Sequence, residues 1–554
     1  MPIYLHNMGG SGLKLPQNIV TWGVIAMITA TIWLAMPARK IIRLSVTCRC
    51  ILLGVFILAL PLLYTEPQWR EAAFSRWLGL AAGMVFYLSW LQYGLPRRWY
   101  SRVLYGVLVP VTGQAIISMM QFLAADYVPE WFSYPIVQNR PYGVFQQVNV
   151  LASFIATGLA LTLLLFLLPG FTLYRKIAER LRKYLLGLVL VLFSVLLVWL
   201  QSRIGWFGGG IAGVLLLLLG YRTDRKQTAL AAGLVVLGIV FAVILYNRVG
   251  IGNVEHTAST QARLIMLHDT LKMITERPLL GWGYGSFEYN FQHYRLAQGL
   301  STSGLGVVRH PHNETLLWWV EGGIVAAIGI LILIYAGLRL VWQAWQLSRQ
   351  AQGLNRQVAI HSIALIFVLI PMLLHTQTEY PFMLSAAHWA IFILLLAQLD
   401  RQVSKVVERR SLPPVISALL AGMIPAVSLG VVVLSCGALY ANLVLTSVER
   451  NRLVDIEPAR LAIRFDLWAN TERWHYDKHI HSLLEFNQTQ DVIRLEEYSG
   501  WAQDYLSRRI DKNVYANWLM ITQYQQDIEL HTRIRQEAHG LFPEDRRFFV
   551  KTNF

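Results

Sequence analysis

Residues 309–338 read RHPHNETLLWWVEGGIVAAIGILILIYAGL, so a polar segment, Arg309–Glu314, runs directly into the apolar stretch Thr315–Leu338. A helix of this length can cross about 30 Å of hydrocarbon. Asn313 is a favourable N-cap, which predicts that the helix begins beside His312. The positive end of the helix dipole would favour a nearby anion and an uncharged His312, as a general base requires. The alternative is a polar cluster that only caps a span.

The composition of the chain indicates a membrane protein with many spans. Of its 554 residues, 55% are hydrophobic and 14% are charged, whereas soluble proteins carry about a quarter charged residues. The net charge of +16 lies mostly in short loops, so it does not indicate nucleic-acid binding. Three cysteines have neither disulfide nor zinc-site spacing.

About twelve apolar stretches are long enough to cross a membrane, which predicts an all-α polytopic fold. They lie near residues 19–36, 50–64, 77–94, 103–123, 148–168, 184–201, 204–220, 228–246, 315–338, 359–374, 384–398 and 414–439. Every second connection is rich in Arg and Lys, and the positive-inside rule places these connections in the cytoplasm. The opposite, extracytoplasmic face then receives the segments 124–147, 201–205, 247–314 and 375–383, together with the tail.

A change of composition near residue 440 predicts two domains. Residues 1–439 are interpreted as a transmembrane domain with a large outer loop at 247–314, and residues 440–554 as a small α-helical domain on the same outer face. Trp468, Trp474, Trp501 and Trp518 stand among charged residues of the tail. They fit contact with a partner or a glycan, or the core of the domain itself.

The outer segments contain the unusual polar residues of the chain. Gln147 and Asn149 run into the fifth span, where they could bind substrate or join helices. Arg203 stands between two apolar spans, and an arginine at that depth is costly unless it has a function or reaches the interface. His375–Pro381 is a compact polar loop. Its acidic residue, Glu379, is a further candidate.

The segment 247–314 is long enough to carry structure and function of its own. Leu264, Leu267, Leu271 and Ile274 recur at helical spacing, with Arg263 off that stripe. This pattern is typical of an amphipathic helix in the membrane interface, although such a stripe also occurs in packed helices.

The arginines suggest a phosphate ligand rather than a metal. Guanidinium groups bind phosphate through two parallel hydrogen bonds and keep their charge, so Arg203 and Arg263 suit a lipid-anchored pyrophosphate. The sequence has neither a Walker-type glycine loop nor an HExxH motif. His310, His312 and Glu314 could share one face of an extended segment and bind a metal. The proline at 311 and the helix start interrupt that geometry, so no metal site is expected.

Five motifs follow one another in a specific order. They are Arg140-Pro141-Tyr142-Gly143 with Gln147 and Asn149; Ser202-Arg203-Ile204-Gly205-Trp206; Arg263 with Arg277-Pro278-Leu279-Leu280-Gly281-Trp282-Gly283; His312-Asn313-Glu314 with Trp318-Trp319-Val320-Glu321-Gly322-Gly323; and Glu379-Tyr380-Pro381. Together they resemble the bacterial O-antigen ligase/polymerase superfamily of lipid-linked glycan transferases. Within it, the chain is most similar to the O-oligosaccharyltransferases that glycosylate pilins and other exported proteins. The resemblance covers most of the chain.

The resemblance implies a reaction and a set of site residues. A preassembled glycan would pass en bloc from undecaprenyl pyrophosphate to Ser/Thr hydroxyls of a pilin-like protein, at the periplasmic face of the inner membrane and without a cofactor. The implied catalytic residues are His312, Arg203, Arg263 and Tyr380. The implied substrate-binding residues are Gln147, Asn149, Asn313, Glu314, Glu379 and Arg309. Val148 departs from the family, which often has proline between the glutamine and the asparagine.

Other interpretations use the same residues. A ligase to lipid A core or a glycan polymerase would bind the same donor, and a flippase would transport it. A flippase predicts polar residues in both halves of the membrane, whereas here they gather at one face. The rival bases to His312 are His310, Glu314 and Glu379.

Overall fold

The computed structural model describes residues 5, 7–36, 42–93, 97–123, 127, 140–246, 248, 257–404 and 410–549. Twenty α-helices lie within these ranges. They are α1 (Pro16–Leu34), α2 (Val46–Ile57), α3 (Arg70–Gln92), α4 (Arg97–Leu123), α5 (Val148–Leu167), α6 (Lys176–Trp199), α7 (Arg203–Tyr221), α8 (Arg225–Leu245), α9 (Thr257–Glu276), α10 (Phe287–Ala297), α11 (Glu314–Gln350), α12 (Leu354–Thr376), α13 (Pro381–Leu384), α14 (Ala386–Ser404), α15 (Pro414–Arg450), α16 (Glu457–Ala462), α17 (Thr471–Thr489), α18 (Ile493–Leu506), α19 (Lys512–Tyr524) and α20 (Ile528–Leu541).

The remaining regular structure is short. One antiparallel pair, β1 (Arg43–Leu44) with β2 (Arg410–Ser411), is the β structure of the described ranges, with Arg43 opposite Ser411 and Leu44 opposite Arg410. Five 3-10 helices lie at Gly12–Lys14, Leu60–Leu63, Pro67–Trp69, Ile463–Phe465 and Arg546–Phe548. The predicted all-α fold class is confirmed.

Ten helical stretches in these ranges are long and apolar enough to cross a membrane. They are α1, the stretch Val46–Leu63 that contains α2, Tyr100–Leu123 of α4, α5, α6, α7, α8, α11, Asn355–Thr376 of α12, and α15. The other two predicted spans, 77–94 and 384–398, are also helical, as α3 and α14. Both carry charges near one end, Arg70 and Arg76 in α3 and Asp400 in α14, which makes them less apolar.

The described residues form two compact units. The first comprises Met1–Leu52, Ala81–Val254 and Ile332–Leu443, and the second comprises Leu53–Leu80, Glu255–Leu331 and Val444–Phe554. The tail therefore belongs to the same unit as the long outer loop. The change of composition near residue 440 falls inside α15, which continues to Arg450.

The central helix of the first unit is α5. Every residue from Val150 to Leu167 is buried, as expected for a helix that is apolar on all sides. Its neighbours are α4, α6, α7 and α12. Small residues allow the close packing that membrane helices favour, because a Cβ at Gly205 would stand 2.8 Å from the Cβ of Ala152. This packing brings the first turn of α5 close to the first turn of α7.

The second unit contains a sharp kink in α11. Gly323 has φ of +60° and ψ of −154°, which is not helical. The segment that follows α9 lies directly against the kink. Its backbone pairs with α11 through Trp282 N to Val320 O at 3.0 Å, Gly283 N to Glu321 O at 2.8 Å and Ile324 N to Pro278 O at 2.9 Å. Two of the sequence motifs are thus in direct backbone contact.

The tail, also in the second unit, is α-helical. Consecutive helices from α17 to α20 pack against one another, and α10 packs against α20. Trp474 and Trp518 are buried in its cores, so these two aromatic residues serve the fold. Trp468 is 41% exposed, and Trp501 is partly buried with its ring stacked on His479.

Candidate functional site

In the first unit, the carboxylate of Glu379 accepts hydrogen bonds from two amide side chains. Gln147 Nε2 donates to Oε2 over 2.8 Å, and Asn149 Nδ2 donates to Oε1 over 2.6 Å. His375 Nε2 lies 3.2 Å from Oε2. Glu379 is 2% exposed, and a buried charge is costly unless it is hydrogen-bonded in this way. Three of the predicted site residues therefore meet around one carboxylate.

Two further predicted residues are sequence neighbours of this cluster. Ser202 Oγ donates to Asn149 Oδ1 over 2.8 Å, and it caps α7 by accepting from Gly205 N. Arg203 is therefore the first residue of α7, and it is exposed. Tyr380 directly follows Glu379, precedes the short helix α13 and is partly buried. Leu200 and Gln201 form a turn between α6 and α7, so Arg203 lies at the start of a helix rather than in a connection between two spans.

In the second unit, the predicted helix start beside His312 is confirmed. Asn313 Oδ1 accepts from Leu316 N over 3.0 Å, which is the N-cap hydrogen bond, and Glu314 is the first helical residue. His312 has φ of +52°, a left-handed conformation that is uncommon outside glycine. This left-handed turn between Pro311 and the N-cap residue Asn313 gives the imidazole of His312 a different direction from the one that an extended backbone would give it.

His310 stands beside His312 in a positively charged surrounding. The two rings lie 6.3 Å apart between centroids. Burial lowers the pKa of His310 well below its usual value, and the nearby His312, Arg76 and Arg309 lower it further. His310 is therefore neutral at physiological pH. Among the described residues, no three His, Cys, Asp or Glu side chains lie close enough together to hold a metal ion.

An acidic residue inside α11 holds the surrounding elements together. Glu321 is 0% exposed and forms an ion pair with Arg76 of α3. Its other oxygen, Oε1, accepts from Phe287 N over 3.0 Å, at the start of α10. An acid in an apolar span is a signal that sequence analysis could have used. No comparable feature of the sequence pointed to Arg76 as its partner.

A second carboxylate, Glu288 of α10, connects the His312 segment with the tail. It is 7% exposed, and its Oε2 lies 3.7 Å from Arg309 Nε and 3.4 Å from Arg509 Nη1. Ile510 N donates to Oε1 over 3.2 Å. Arg309, predicted to bind substrate, is 61% exposed at its side chain, so its guanidinium remains accessible to solvent.

Arg263 lies on α9, which confirms the helix predicted in the outer loop. The leucine stripe is largely exposed, with Leu264 at 61%, Leu267 at 39% and Leu271 at 44%, whereas Ile274 is buried at 6%. Arg263 is partly buried. The helix ends at Glu276, directly before Arg277-Pro278, where proline disfavours its continuation. Three leucines facing outwards fit a helix that contacts lipid better than one packed by protein.

The ten predicted site residues therefore fall in both units. Gln147, Asn149, Glu379, Tyr380 and Arg203 belong to the first unit, and His312, Asn313, Glu314, Arg309 and Arg263 belong to the second. Sequence analysis missed His375, although its spacing of four residues before Glu379 was a usable helical signal. Ser202 was quoted only as part of a motif.

Comparison with known protein families adds three matches. Residues 141–166 match a family described as protein glycosylation ligase, residues 188–331 match O-antigen ligase, and residues 363–554 match virulence factor membrane-bound polymerase, C-terminal. No curated protein matches the chain.

Proposed function

We propose a specific reaction, starting from the similarity of the chain to O-antigen ligases and to protein glycosylation ligases. The protein transfers a preassembled glycan from undecaprenyl pyrophosphate to Ser/Thr hydroxyls of exported, pilin-like proteins. The transfer takes place at the periplasmic face of the bacterial inner membrane. Because the pyrophosphate already makes the glycan a good donor, no cofactor is needed.

In this proposal, His312 removes the proton from the acceptor hydroxyl. Arg203 and Arg263 hold the pyrophosphate and stabilise the charge that develops on it as the glycosidic bond breaks. Tyr380 is a further catalytic residue. Substrate contacts come from Gln147, Asn149, Asn313, Glu314 and Arg309, and Glu379 contributes to substrate binding through the two amides that it holds.

The amide cluster around Glu379 is the observation that best supports the protein-glycosylating branch. Gln147 and Asn149 lie within residues 141–166, the stretch similar to protein glycosylation ligases, and both donate to Glu379. Both carboxylate oxygens are occupied by donors and buried. This favours Glu379 as a fixed anion that aims the amides, and disfavours it as the base.

The contacts of Glu288 support a protein acceptor. A domain that captures an acceptor must influence the catalytic segment, and Glu288 contacts both Arg309 and the turn at Arg509–Ile510 of the tail. A lipid or glycan acceptor requires no helical domain of this size.

The decisive experiment is expression of the chain together with a lipid-linked glycan pathway and a pilin-like substrate. We expect glycan on the exported protein. Glycan on lipid A, or longer lipid-linked polymer without protein modification, would contradict the proposal.

Substitutions test the roles of the residues. His312→Ala should abolish transfer while donor binding remains, because His312 acts on the acceptor proton. Arg203→Lys and Arg263→Lys should lower the rate on the order of 100-fold or more, since an ammonium cannot form the two parallel hydrogen bonds to phosphate. Arg460→Lys, at an exposed pair with Glu457, is the matched control. Near-normal transfer by His312→Ala, with loss in His310→Ala, would move the base to His310.

A glycan polymerase is the second candidate. The match of residues 363–554 to the C-terminal part of a membrane-bound polymerase favours it. The same expression experiment separates the two, because a polymerase lengthens the glycan on its lipid carrier in the absence of any acceptor protein.

A further inference from the structure

The hydrogen bonds around Glu379 continue through four more buried side chains. His375 Nδ1 lies 2.7 Å from Ser153 Oγ, and Ser153 Oγ lies 3.1 Å from His388 Nε2. His388 Nδ1 lies 3.0 Å from Ser385 Oγ. All four residues are 0% exposed. They come from α5, α12, α14 and the residue before α14, all within the first unit.

The direction of these hydrogen bonds follows from the chemistry of neutral imidazole, which has one donor and one acceptor nitrogen. An ionised Glu379 requires a donor at His375 Nε2, which leaves Nδ1 to accept from the Ser153 hydroxyl. The Ser153 oxygen then accepts from His388 Nε2–H. His388 Nδ1 finally accepts from the Ser385 hydroxyl, whose oxygen also accepts from His388 N.

The Val150 carbonyl oxygen competes as an acceptor along this path, both for the Ser153 hydroxyl and for the His388 ring. The Val150 carbonyl oxygen lies 3.1 Å from Ser153 Oγ, which is longer than the 2.7 Å contact with His375 Nδ1. The shorter contact takes the single hydroxyl proton. Every donor along the path then points towards Glu379.

We propose that His375, Ser153 and His388 are positioning residues that keep Glu379 ionised and its oxygens aimed at Gln147 and Asn149. The set Ser385, His388, Ser153 and His375 is called the Glu379 relay. This proposal rests on the proposed function, in which the amides of Gln147 and Asn149 contact substrate. The relay matters because a carboxylate that gains a proton becomes a donor itself. It would then repel one of the amide N–H groups that it now accepts from.

Titratable and charged groups reach the Glu379 cluster from several elements of the first unit. From α12 and α14 they are His375 and His388, and α5 contributes amides and a hydroxyl. Ser202, the N-cap residue of α7, reaches the cluster through its hydrogen bond to Asn149, and Arg203 follows Ser202 in sequence. Tyr380 is adjacent in the chain.

The first test measures the tautomers directly, by ¹⁵N NMR of the full-length protein in lipid nanodiscs with labelled histidine. His375→Gln and His388→Gln assign the two signals. We expect each ring to carry a proton at Nε2 and to accept a hydrogen bond at Nδ1. An imidazolium, or a proton at Nδ1 of His375, would overturn the relay. This result does not depend on transfer activity, so failure of the proposed function remains distinguishable.

The second test removes one hydroxyl from the relay. Ser153→Ala deletes the donor to His375 Nδ1 with little change in volume. Ser194→Ala is the matched control, because Ser194 is equally buried and donates only to its own helix, to Leu190 O over 2.8 Å.

We expect Ser153→Ala to change the His375 tautomer signal and to lower kcat on the order of 100-fold, as misplaced contacting groups do. The acid limb of its pH–rate profile should move to higher pH. Without the Ser153 hydroxyl the His375 proton can move to Nδ1, and Glu379 then loses its donor at His375 Nε2 and is protonated more easily. Ser194→Ala should leave all three readouts unchanged. Equal kcat and equal acid limbs in the two variants would refute the positioning role.

Discussion

The kink of α11 can be tested by adding one methyl group at Gly323. With φ of +60° and ψ of −154°, this residue occupies a region that is essentially restricted to glycine. An L-residue held there costs about 1–3 kcal/mol. The Cβ of alanine would also stand 2.5 Å from the carbonyl carbon of Leu279 and 2.7 Å from Gly281 N. These are backbone atoms, which cannot move aside by rotating a side chain.

Overpacking of that kind typically costs a further 1–3 kcal/mol, roughly. Gly323→Ala should therefore lower the free energy of unfolding by about 2–6 kcal/mol. Because the helix that begins at Asn313 ends at this kink, we also expect glycan transfer per membrane-inserted molecule to fall. The measurement is equilibrium unfolding of the purified protein in mixed micelles, followed by tryptophan fluorescence.

Gly337→Ala is the matched control in the same helix. A Cβ at Gly337 would meet nothing within 4 Å, and alanine is favoured over glycine in a helix by about 0.5–1 kcal/mol. The control should therefore be as stable as the native protein or slightly more so. Equal stability of Gly323→Ala and Gly337→Ala would refute the argument that the kink requires glycine.

Four other outcomes are expected. Reporter fusions at Arg180 should read cytoplasmic and those at Gln503 periplasmic, and a cytoplasmic tail would contradict the topology. Transfer should survive exhaustive chelation with EDTA, since arginines neutralise the pyrophosphate; loss that a divalent ion restores would indicate a metal site. Glu288→Gln should lower the free energy of unfolding by about 1.5–3 kcal/mol, whereas Glu457→Gln, at an exposed pair, should change it by less than about 1 kcal/mol. Because the pKa of His310 is held below its usual value of about 6.5, the unfolded state binds a proton first as pH falls. Stability should therefore decrease below about pH 6.5, and His310→Asn should reduce that decrease when unfolding is measured across pH.

Much of the architecture was predictable because it depends on local patterns. A stretch of about 20 apolar residues must form a helix in hydrocarbon, where unpaired backbone groups are too costly. All twelve predicted spans are helical for this reason. The N-cap at Asn313, the end of α9 before Pro278 and the turn before Arg203 are equally local, since each depends on residues within one helical turn.

The tertiary structure decided which polar residues meet. Gln147 and Asn149 were candidates from their positions alone, but their common acceptor, Glu379, lies more than 200 residues later. The Glu379 relay joins three helices through single side chains, and no periodic pattern in the sequence predicts such a pairing. In the sequence, Gly323 does not differ from other glycines of membrane helices. The packing of the segment after α9 against it is what requires glycine at this position. Sequence therefore determined the helices and their ends through local backbone energetics. Long-range packing determined the site, because a buried carboxylate is stable only where distant donors converge on it.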